Sequence, residues 1–134
     1  MAYTNEHMVF TLMEMYPHLA HWKDYKVAHP CCPVSGEQNA DPWIVEWTAP
    51  DVKPRAEWVL DYFHEHEEEI CAKLARYHRD DKLRFSDQFA SLPSDAPPYL
   101  VDRHAKIVEY RAKLRDIENL PGWPLEVEWP EFPQ

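Results

Sequence analysis

Prolines divide this chain into short segments, and their positions limit where helices and strands can form. The 134 residues include 13 prolines. Pro17 is expected to end a first helix, because a proline disfavours the helical conformation in the residue before it. Pro54 suits the first turn of a later helix, where its missing N–H costs nothing. At this length the chain fits one domain, or one small domain with a helical appendage.

The N-terminal segment is predicted to be a helix from Thr4 to Tyr16. Thr4 or Asn5 can cap its start, since short polar side chains accept a hydrogen bond from the first turn. Apolar residues then recur at helical spacing. These residues are Met8, Val9, Leu12, Met13 and Tyr16.

Two β-rich runs, Tyr25–Ala28 and Trp43–Trp47, flank a stretch of turn-forming residues. This arrangement predicts an antiparallel hairpin. Side chains alternate along a strand, which divides the second run into two faces. One face holds Trp43, Val45 and Trp47, and the other holds Ile44 and Glu46. We expect the first helix to cover the aromatic face, because two strands alone are marginal in water.

A long helix is predicted from Pro54 to about Phe85, a length of roughly 45 Å. Glu65 and the run Glu67–Glu69 lie in its middle, and basic residues follow later, an order that favours the helix dipole. A loop with three prolines comes next. A third helix is then predicted from about Tyr99 to Asn119.

The third helix carries a narrow apolar seam. Leu100, Ile107 and Leu114 are seven residues apart, and so are Tyr110 and Ile117. A seam with this spacing suits one partner helix. An antiparallel hairpin with the preceding long helix is the simplest arrangement, and pairing with another chain, including a homo-oligomer, stays open.

The last stretch, from Leu120 to Gln134, alternates apolar and acidic residues between prolines. Leu125, Val127 and Trp129 are expected to share one face of an edge strand. The aromatic residues of this tail have two interpretations. Either the tail folds back onto its own helices, or it docks on a partner protein by strand addition or by filling a pocket.

Together these elements predict an α+β fold. An N-terminal helix and a small antiparallel β-hairpin are followed by a long helix, an antiparallel helical hairpin and an extended C-terminal tail. The boundary is expected in a proline-bracketed linker. Residues 1–53 then form the helix-plus-hairpin unit, and residues 54–134 form the helical hairpin with its tail.

The composition argues against several classes of function. The formal net charge of −10 disfavours nucleic acid and anionic membranes, because both are bound by basic surfaces. With only 2 glycines, the glycine-rich loops that hold nucleotide phosphates are absent. No apolar run approaches the ~18 residues of a membrane span, and Met1 to Glu6 lacks the pattern of a signal peptide. We therefore expect no nucleic acid partner and no membrane partner.

Metal binding and catalysis have little support in the sequence. The densest group of metal-binding residue types is His18, His21, His29, Cys31 and Cys32. It lacks the paired C-x-x-C spacing of zinc sites. A second group on the long helix, His64, Glu67, Glu68 and Cys71, reads more simply as a solvated acidic face. No nucleophile motif is present, and 3 cysteines with an adjacent pair favour a reducing compartment. The expectation is a protein with no catalytic residues, no metal and no cofactor.

The residues from Arg79 onward carry a family resemblance. The first runs are Arg79-Asp80-Asp81-Lys82-Leu83, Ser86-Asp87 and Leu92-Pro93-Ser94-Asp95-Ala96-Pro97. They are followed by Tyr110-Arg111-Ala112-Lys113-Leu114-Arg115-Asp116-Ile117 and by Val127-Glu128-Trp129-Pro130-Glu131-Phe132-Pro133. In this order and spacing, roughly the last 55 residues resemble the phage tail assembly chaperones.

A weaker resemblance lies upstream. It is carried by Met15-Tyr16-Pro17, Asp24-Tyr25-Lys26-Val27 and Ile44-Val45-Glu46-Trp47, with a proline-led helix after them. This region is similar to the N-terminal half of small tail proteins from phages and prophages. It departs from that pattern before the second strand, where Asp41-Pro42 replaces the usual glycine-containing turn.

The resemblance implies a non-enzymatic protein that helps to fold, trimerise or attach a tail fibre or another tail protein. It implies work in the host bacterial cytoplasm during assembly, with retention in the virion tail left open. A permanent structural component of the tail and a small metal-binding protein are the alternatives. The seam and the aromatic tail supply the predicted partner-binding residues, which are Ile107, Tyr110, Arg111, Leu114, Arg115, Ile117, Trp123, Trp129 and Phe132.

Overall fold

A computed structural model describes residues 3–134 of the chain. Within these residues it contains four α-helices, two strands and two short 3₁₀ turns. The helices are α1 (Asn5–Met15), α2 (Ala56–Glu65), α3 (Glu67–Ser86) and α4 (Pro98–Arg115), the strands are β1 (Tyr25–Ala28) and β2 (Trp43–Trp47), and the 3₁₀ turns are Asp87–Phe89 and Ile117–Asn119. The predicted α+β class is confirmed. Across the described residues, no helix combines the length and the apolar character that crossing a membrane requires.

The chain divides into two compact units, an N-terminal unit that ends at Leu74 and a C-terminal unit, Ala75–Gln134. We predicted the division at residues 53 and 54, before the second helix. In the structure α2 belongs to the N-terminal unit, because it packs against α1. The first two residues of the predicted N-terminal unit lie outside the described residues.

Helix α1 begins at the predicted cap. The hydroxyl of Thr4 accepts a hydrogen bond from the backbone N–H of His7 at 3.5 Å, and Nδ1 of His7 accepts one from the backbone N–H of Thr4 at 3.0 Å. This reciprocal pair satisfies two backbone donors at the helix start, with histidine in the place that glutamate or glutamine usually holds. The helix ends at Met15, two residues before Pro17.

The predicted antiparallel hairpin is confirmed, and it contains a bulge. Lys26 lies opposite Glu46 and Val27 lies opposite Ile44. Val45 therefore has no partner on β1. A bulge adds one residue to one strand and shifts the alternation of side chains beyond it.

The bulge makes the predicted division of faces in β2 wrong. Ile44 is buried, with 6% of its surface exposed, whereas Val45 is 53% exposed. Trp43 is also exposed, and Trp47 is half-buried against the core, where its ring stacks on Tyr25 at a centroid distance of 5.8 Å. Ile44 and Trp47 both face the core because the extra residue between them resets the alternation.

The N-terminal unit is built around buried apolar side chains from α1, the hairpin and α2. The main cluster consists of Met8, Leu12, Tyr25, Val27, Ile44 and Val59. A neighbouring cluster consists of Phe63, Ile70 and Cys71. The two clusters give this unit a continuous series of buried positions from α1 to the start of α3.

The long helix predicted from Pro54 to Phe85 is divided at His66. The backbone N–H of His66 bonds to the carbonyls of Tyr62 and Phe63, and its φ of −122° leaves the helical region. Its carbonyl then accepts the N–H of Ile70 at 2.9 Å, which starts α3. The predicted mid-helix acidic run, Glu67–Glu69, occupies the first turn of α3, where negative charge is stabilised by the helix dipole.

In the C-terminal unit, α4 runs antiparallel to α3. Arg103 lies over the ring of Phe89 at 5.1 Å, and Arg111 donates to the carbonyl of Leu83 at 3.0 Å. Glu118, beyond α4, pairs with Arg76. Later positions on the α4 side thus contact earlier positions on the α3 side, which confirms the predicted helical hairpin.

The predicted seam of α4 is buried except at Leu100, which is half-buried. Ile107, Tyr110 and Leu114 are buried in the helix, and Ile117 is buried in the 3₁₀ turn that follows. The predicted helix to Asn119 is correct as far as Arg115, after which the 3₁₀ turn completes the segment. The heptad spacing therefore identified the packed face.

The predicted edge strand of the tail is wrong: residues 120–134 contain no strand. Instead the backbone N–H of Glu126 bonds to the carbonyl of Gly122 at 2.8 Å, which forms a turn around the cis Trp123–Pro124 bond. A strand requires an unpaired neighbouring edge, and the elements of this unit are helices. The prolines of the tail also remove backbone donors that a strand would use.

Candidate partner-binding site

The tail and α4 enclose an open groove of about 750 Å³ in the C-terminal unit. One wall is formed by α4 and the 3₁₀ turn after it, and the other by the last residues of the tail. Its apolar lining comes from Tyr110, Ala112, Ile117, Leu120, Trp129, Pro130 and Pro133. A groove of this size, lined by aromatic and aliphatic side chains, can take the side chains of a partner protein.

Phe132 anchors the end of the tail in an aromatic cluster. Its ring lies 5.4 Å from the rings of Phe85, Phe89 and Tyr110, measured between centroids. Aromatic rings at this distance and in tilted arrangements stabilise one another beyond the area they bury. The tail therefore lies on the helices of its own unit, which is the first of the two arrangements considered for it.

The two tryptophans of the tail lie against basic residues of α3. Nζ of Lys82 is 5.3 Å from the centre of the Trp129 ring, and the guanidinium of Arg76 is 5.9 Å from that of Trp123. Cations over aromatic faces are attracted by the negative face of the ring. These contacts hold the tail wall of the groove in place.

Arg111 joins the end of α3 to α4. Its Nη1 donates to the carbonyl of Leu83 at 3.0 Å, to the carboxylate of Asp87 at 2.8 Å, and to the hydroxyl of Ser86. Ser86 is fully buried and donates its own hydrogen to Leu83. Hydrogen bonds of this charged kind are stronger than neutral ones, so Arg111 positions the helix that lines the groove.

A second ionic contact fixes the 3₁₀ turn. The carboxylate of Glu118 lies 2.6 Å from Nη2 of Arg76 and 3.3 Å from Nη1 of Arg79. Because one carboxylate bridges two guanidinium groups, the turn that carries Ile117 is held against α3.

Burial also raises the pKa of the Tyr110 hydroxyl, which keeps this groove residue neutral well into the alkaline range.

The charged lining of the groove is predominantly acidic. Four carboxylates line it, from Glu109, Asp116, Glu128 and Glu131, against two amines, from Lys106 and Lys113. Glu109 and Lys113 pair with each other at 3.3 Å. The remaining negative charge favours a partner with basic residues beside an apolar anchor.

The predicted site residues take four kinds of position. Four are buried in the seam, namely Ile107, Tyr110, Leu114 and Ile117. Three are half-buried in the tail, namely Trp123, Trp129 and Phe132, and Arg115 is exposed while Arg111 is bonded to the end of α3. The structure brings Tyr110, Ile117 and Trp129 together at the groove. The role of all nine residues in binding a partner stays a prediction.

The polar residues of the groove are not among the predicted site residues. Lys106 and Lys113 are seven residues apart, and so are Glu109 and Asp116. Residues at this spacing lie on one side of a helix. The charged pattern of α4 was thus visible in the sequence, whereas its proximity to Glu128 and Glu131 depends on how the tail folds back.

The cysteines have different surroundings. Hydrogen bonds from Ser35 and from the backbone N–H of Val34 lower the pKa of Cys32 to about 7. Burial, together with the nearby Glu67 carboxylate, raises the pKa of Cys71 to about 11. Among residues 3–134, no group of three or more His, Cys, Asp and Glu side chains is arranged to hold a metal ion.

Comparisons with protein families cover both halves of the chain. Residues 72–134 match the model for the phage tail assembly chaperone protein, and residues 8–70 match the model for the XkdW protein. No curated protein and no solved structure matches the chain. The resemblance inferred from the C-terminal runs is confirmed, and the two family matches support a phage tail assembly protein family.

Proposed function

We propose that this chain is a non-enzymatic assembly chaperone that binds a tail fibre or another tail protein through the groove between α4 and the tail. The supporting observation is that the groove lies wholly within the region that matches the chaperone family. The chain would act in the host cytoplasm while the tail is assembled. Its task would be to help the client fold, trimerise or attach.

The lining of the groove fits such a task. Trp129 is half-buried and lines the groove with one part of its surface while Lys82 lies over its ring. Half-exposed tryptophans in a held position are typical of residues that dominate binding energy at protein interfaces. The excess of carboxylates in the groove is expected to orient a basic partner and to speed its association more than to raise its affinity.

Co-expression with the tail fibre protein tests the proposal. The full chain is expected to raise the soluble yield of the fibre, and deletion of residues 120–134 is expected to abolish the gain, because it removes one wall of the groove. Trp129→Ala is a milder test and is expected to weaken binding at least about ten-fold. The matched control is Trp58→Ala, a half-exposed tryptophan on α2 in the N-terminal unit.

The proposal fails if the fibre folds equally well without the chain, or if Trp58→Ala is as harmful as Trp129→Ala. Circular dichroism of both variants checks that they remain folded. The copy number in purified virions separates a departing chaperone from a permanent tail component. A stoichiometric copy number would replace the chaperone role by a structural one.

A further inference from the structure

Helix α4 presents a second apolar surface, on the side opposite its buried seam. Four exposed residues recur at intervals of four and three, namely Val101, Ala105, Val108 and Ala112. Val101 is 45% exposed and Val108 is 51% exposed. At 3.6 residues per turn these positions form one straight stripe, which we call the outer stripe, about half a turn away from Ile107 and Leu114.

The outer stripe has the spacing of a helix-pairing seam. Intervals of four and three are the a and d positions of a heptad, which meet a second helix. Alanine at alternate positions allows close approach of the two backbones, and valine fills the positions between them. From Val101 to Ala112 the stripe is roughly 16 Å long, enough for about three turns of a partner helix.

One edge of the stripe is acidic, and it adjoins the groove, which Glu109 and Asp116 also line. Asp102, Glu109 and Asp116 are exposed and seven residues apart, so they line the same side of the stripe. Only Glu109 among them has an ion pair described, with Lys113 on its own helix. The opposite edge holds His104, Arg111 and Arg115. His104 contacts the carbonyl of Ala90 at 3.0 Å and Arg111 contacts the carboxylate of Asp87 at 2.8 Å, whereas Arg115 is exposed.

From this geometry we infer that the outer stripe binds a single amphipathic helix of a partner protein, one with an apolar seam and lysine or arginine along one edge. The inference rests on the proposed function in one respect: the helix would belong to the tail protein that the chain serves. The acidic edge of α4 would pair with the basic edge of that helix, since opposite charges beside the seam set the choice and orientation of partners.

A second copy of this chain fits the stripe poorly. In an antiparallel pair, the acidic edges of two copies would face each other and repel. In a parallel pair, the acidic edge would meet His104, Arg111 and Arg115 of the other copy. The first two are bonded within their own chain, which leaves one arginine to face three carboxylates. The formal net charge of −10 adds further repulsion between copies.

Two synthetic helical peptides test the inference with the full chain. Both carry the same valine and alanine seam over about three heptads. One has lysines along one edge and the other has glutamates there. Fluorescence anisotropy is expected to show at least about ten-fold tighter binding of the lysine peptide, and high salt is expected to reduce this preference.

Two sets of variants assign the binding to the stripe. Val101→Asn with Val108→Asn is expected to weaken the lysine peptide at least about ten-fold, because it removes the apolar seam. Asp102→Lys, Glu109→Lys and Asp116→Lys together are expected to reverse the preference in favour of the glutamate peptide. Trp58→Ala, on α2 of the N-terminal unit, is the matched control and should leave the preference unchanged.

The inference is overturned if both peptides bind equally, or if the asparagine variant keeps full affinity. It is also overturned if sedimentation shows a dimer of the chain that Val108→Asn dissociates, because the occupant would then be a second copy. Fibre co-expression separates this result from the proposed function. If the asparagine variant still raises the soluble yield of the fibre and Trp129→Ala does not, the helix partner is refuted and the chaperone role is retained.

Discussion

The two units of the chain are stabilised in different ways. In the N-terminal unit, α1, the hairpin and α2 enclose two clusters of buried apolar residues. In the C-terminal unit, the buried apolar residues described are Ala75 and the seam of α4. Its other described contacts are the aromatic cluster around Phe132, the ion pairs of Arg111 and Glu118, and cations over the tryptophan rings of the tail.

The two units also differ in how their exposed apolar side chains are arranged. The N-terminal unit also exposes large apolar side chains, among them Trp22, Trp43 and Trp58. A thin unit with one packed seam leaves apolar side chains in solvent, and α4 does so along its outer stripe. Contiguous exposed apolar surface is typical of protein interaction sites. The unit that matches the chaperone family adds to its exposed residues a groove and a regular helical stripe.

The largest expected effect separates two leucines that are equally buried. Leu12 lies in the N-terminal core and Leu114 in the seam of α4, and both have 0% exposure. Leu12→Ala is expected to lower the free energy of unfolding by about 4–5 kcal/mol, because a closed core cannot collapse around the cavity. Leu114→Ala is expected to cost about 2–3 kcal/mol, because a thin unit can relax. Hydrogen exchange resolved by peptide measures each unit separately.

Equal costs for the two leucines would contradict the comparison. They would mean that the C-terminal unit is packed as rigidly as the N-terminal core. Exchange that increases in both units for either variant would show that the units unfold together. Phe63→Leu, a milder change in the N-terminal clusters, serves as a control for the sensitivity of the measurement.

An intermediate effect is expected for Arg111. Arg111→Met is expected to destabilise the C-terminal unit by about 3 kcal/mol, because charged hydrogen bonds to Leu83, Ser86 and Asp87 are lost together. Arg111→Lys keeps the charge but cannot reproduce the forked geometry, so it is expected to cost about half as much. Urea unfolding with peptide-resolved exchange checks both values. A methionine variant as stable as the native chain would show that ionic contacts are not what holds this unit.

The smallest expected effect compares the two glycines. Both have positive φ, +75° at Gly36 and +89° at Gly122. A Cβ at Gly36 would meet nothing within 4 Å, whereas a Cβ at Gly122 would lie 2.6 Å from the carbonyl oxygen of Glu126. Gly36→Ala is expected to cost about 1 kcal/mol from its backbone conformation alone.

Gly122→Ala is expected to cost about 2 kcal/mol, because the turn of the tail must also shift. Its effect should appear as faster exchange in residues 120–134, with the N-terminal unit unchanged. If both alanine variants lose the same stability, the close approach to Glu126 does not constrain the tail. Fluorescence of Trp123 and Trp129 provides an independent view of the same turn.

Local patterns in the sequence determined much of this fold. The cap at Thr4, the two β-rich runs and the heptad spacing of α4 each depend on residues close together along the chain. Elements of that kind form where propensity and periodicity agree. The same local logic located the seam through Ile107 and Leu114, and the family resemblance of the C-terminal runs followed from their order.

What the tertiary structure decided depends on contacts between distant residues. With the bulge at Val45, Ile44 faces the core, where it packs with side chains of α1, β1 and α2. A new helix begins at the acidic run Glu67–Glu69. Phe63 before the break and Ile70 after it pack in the same buried cluster. The tail follows the helices instead of forming a strand because Phe132 finds rings from three other segments. Local propensity is too weak to decide such alternatives, since packing of distant side chains contributes more free energy than any single backbone preference.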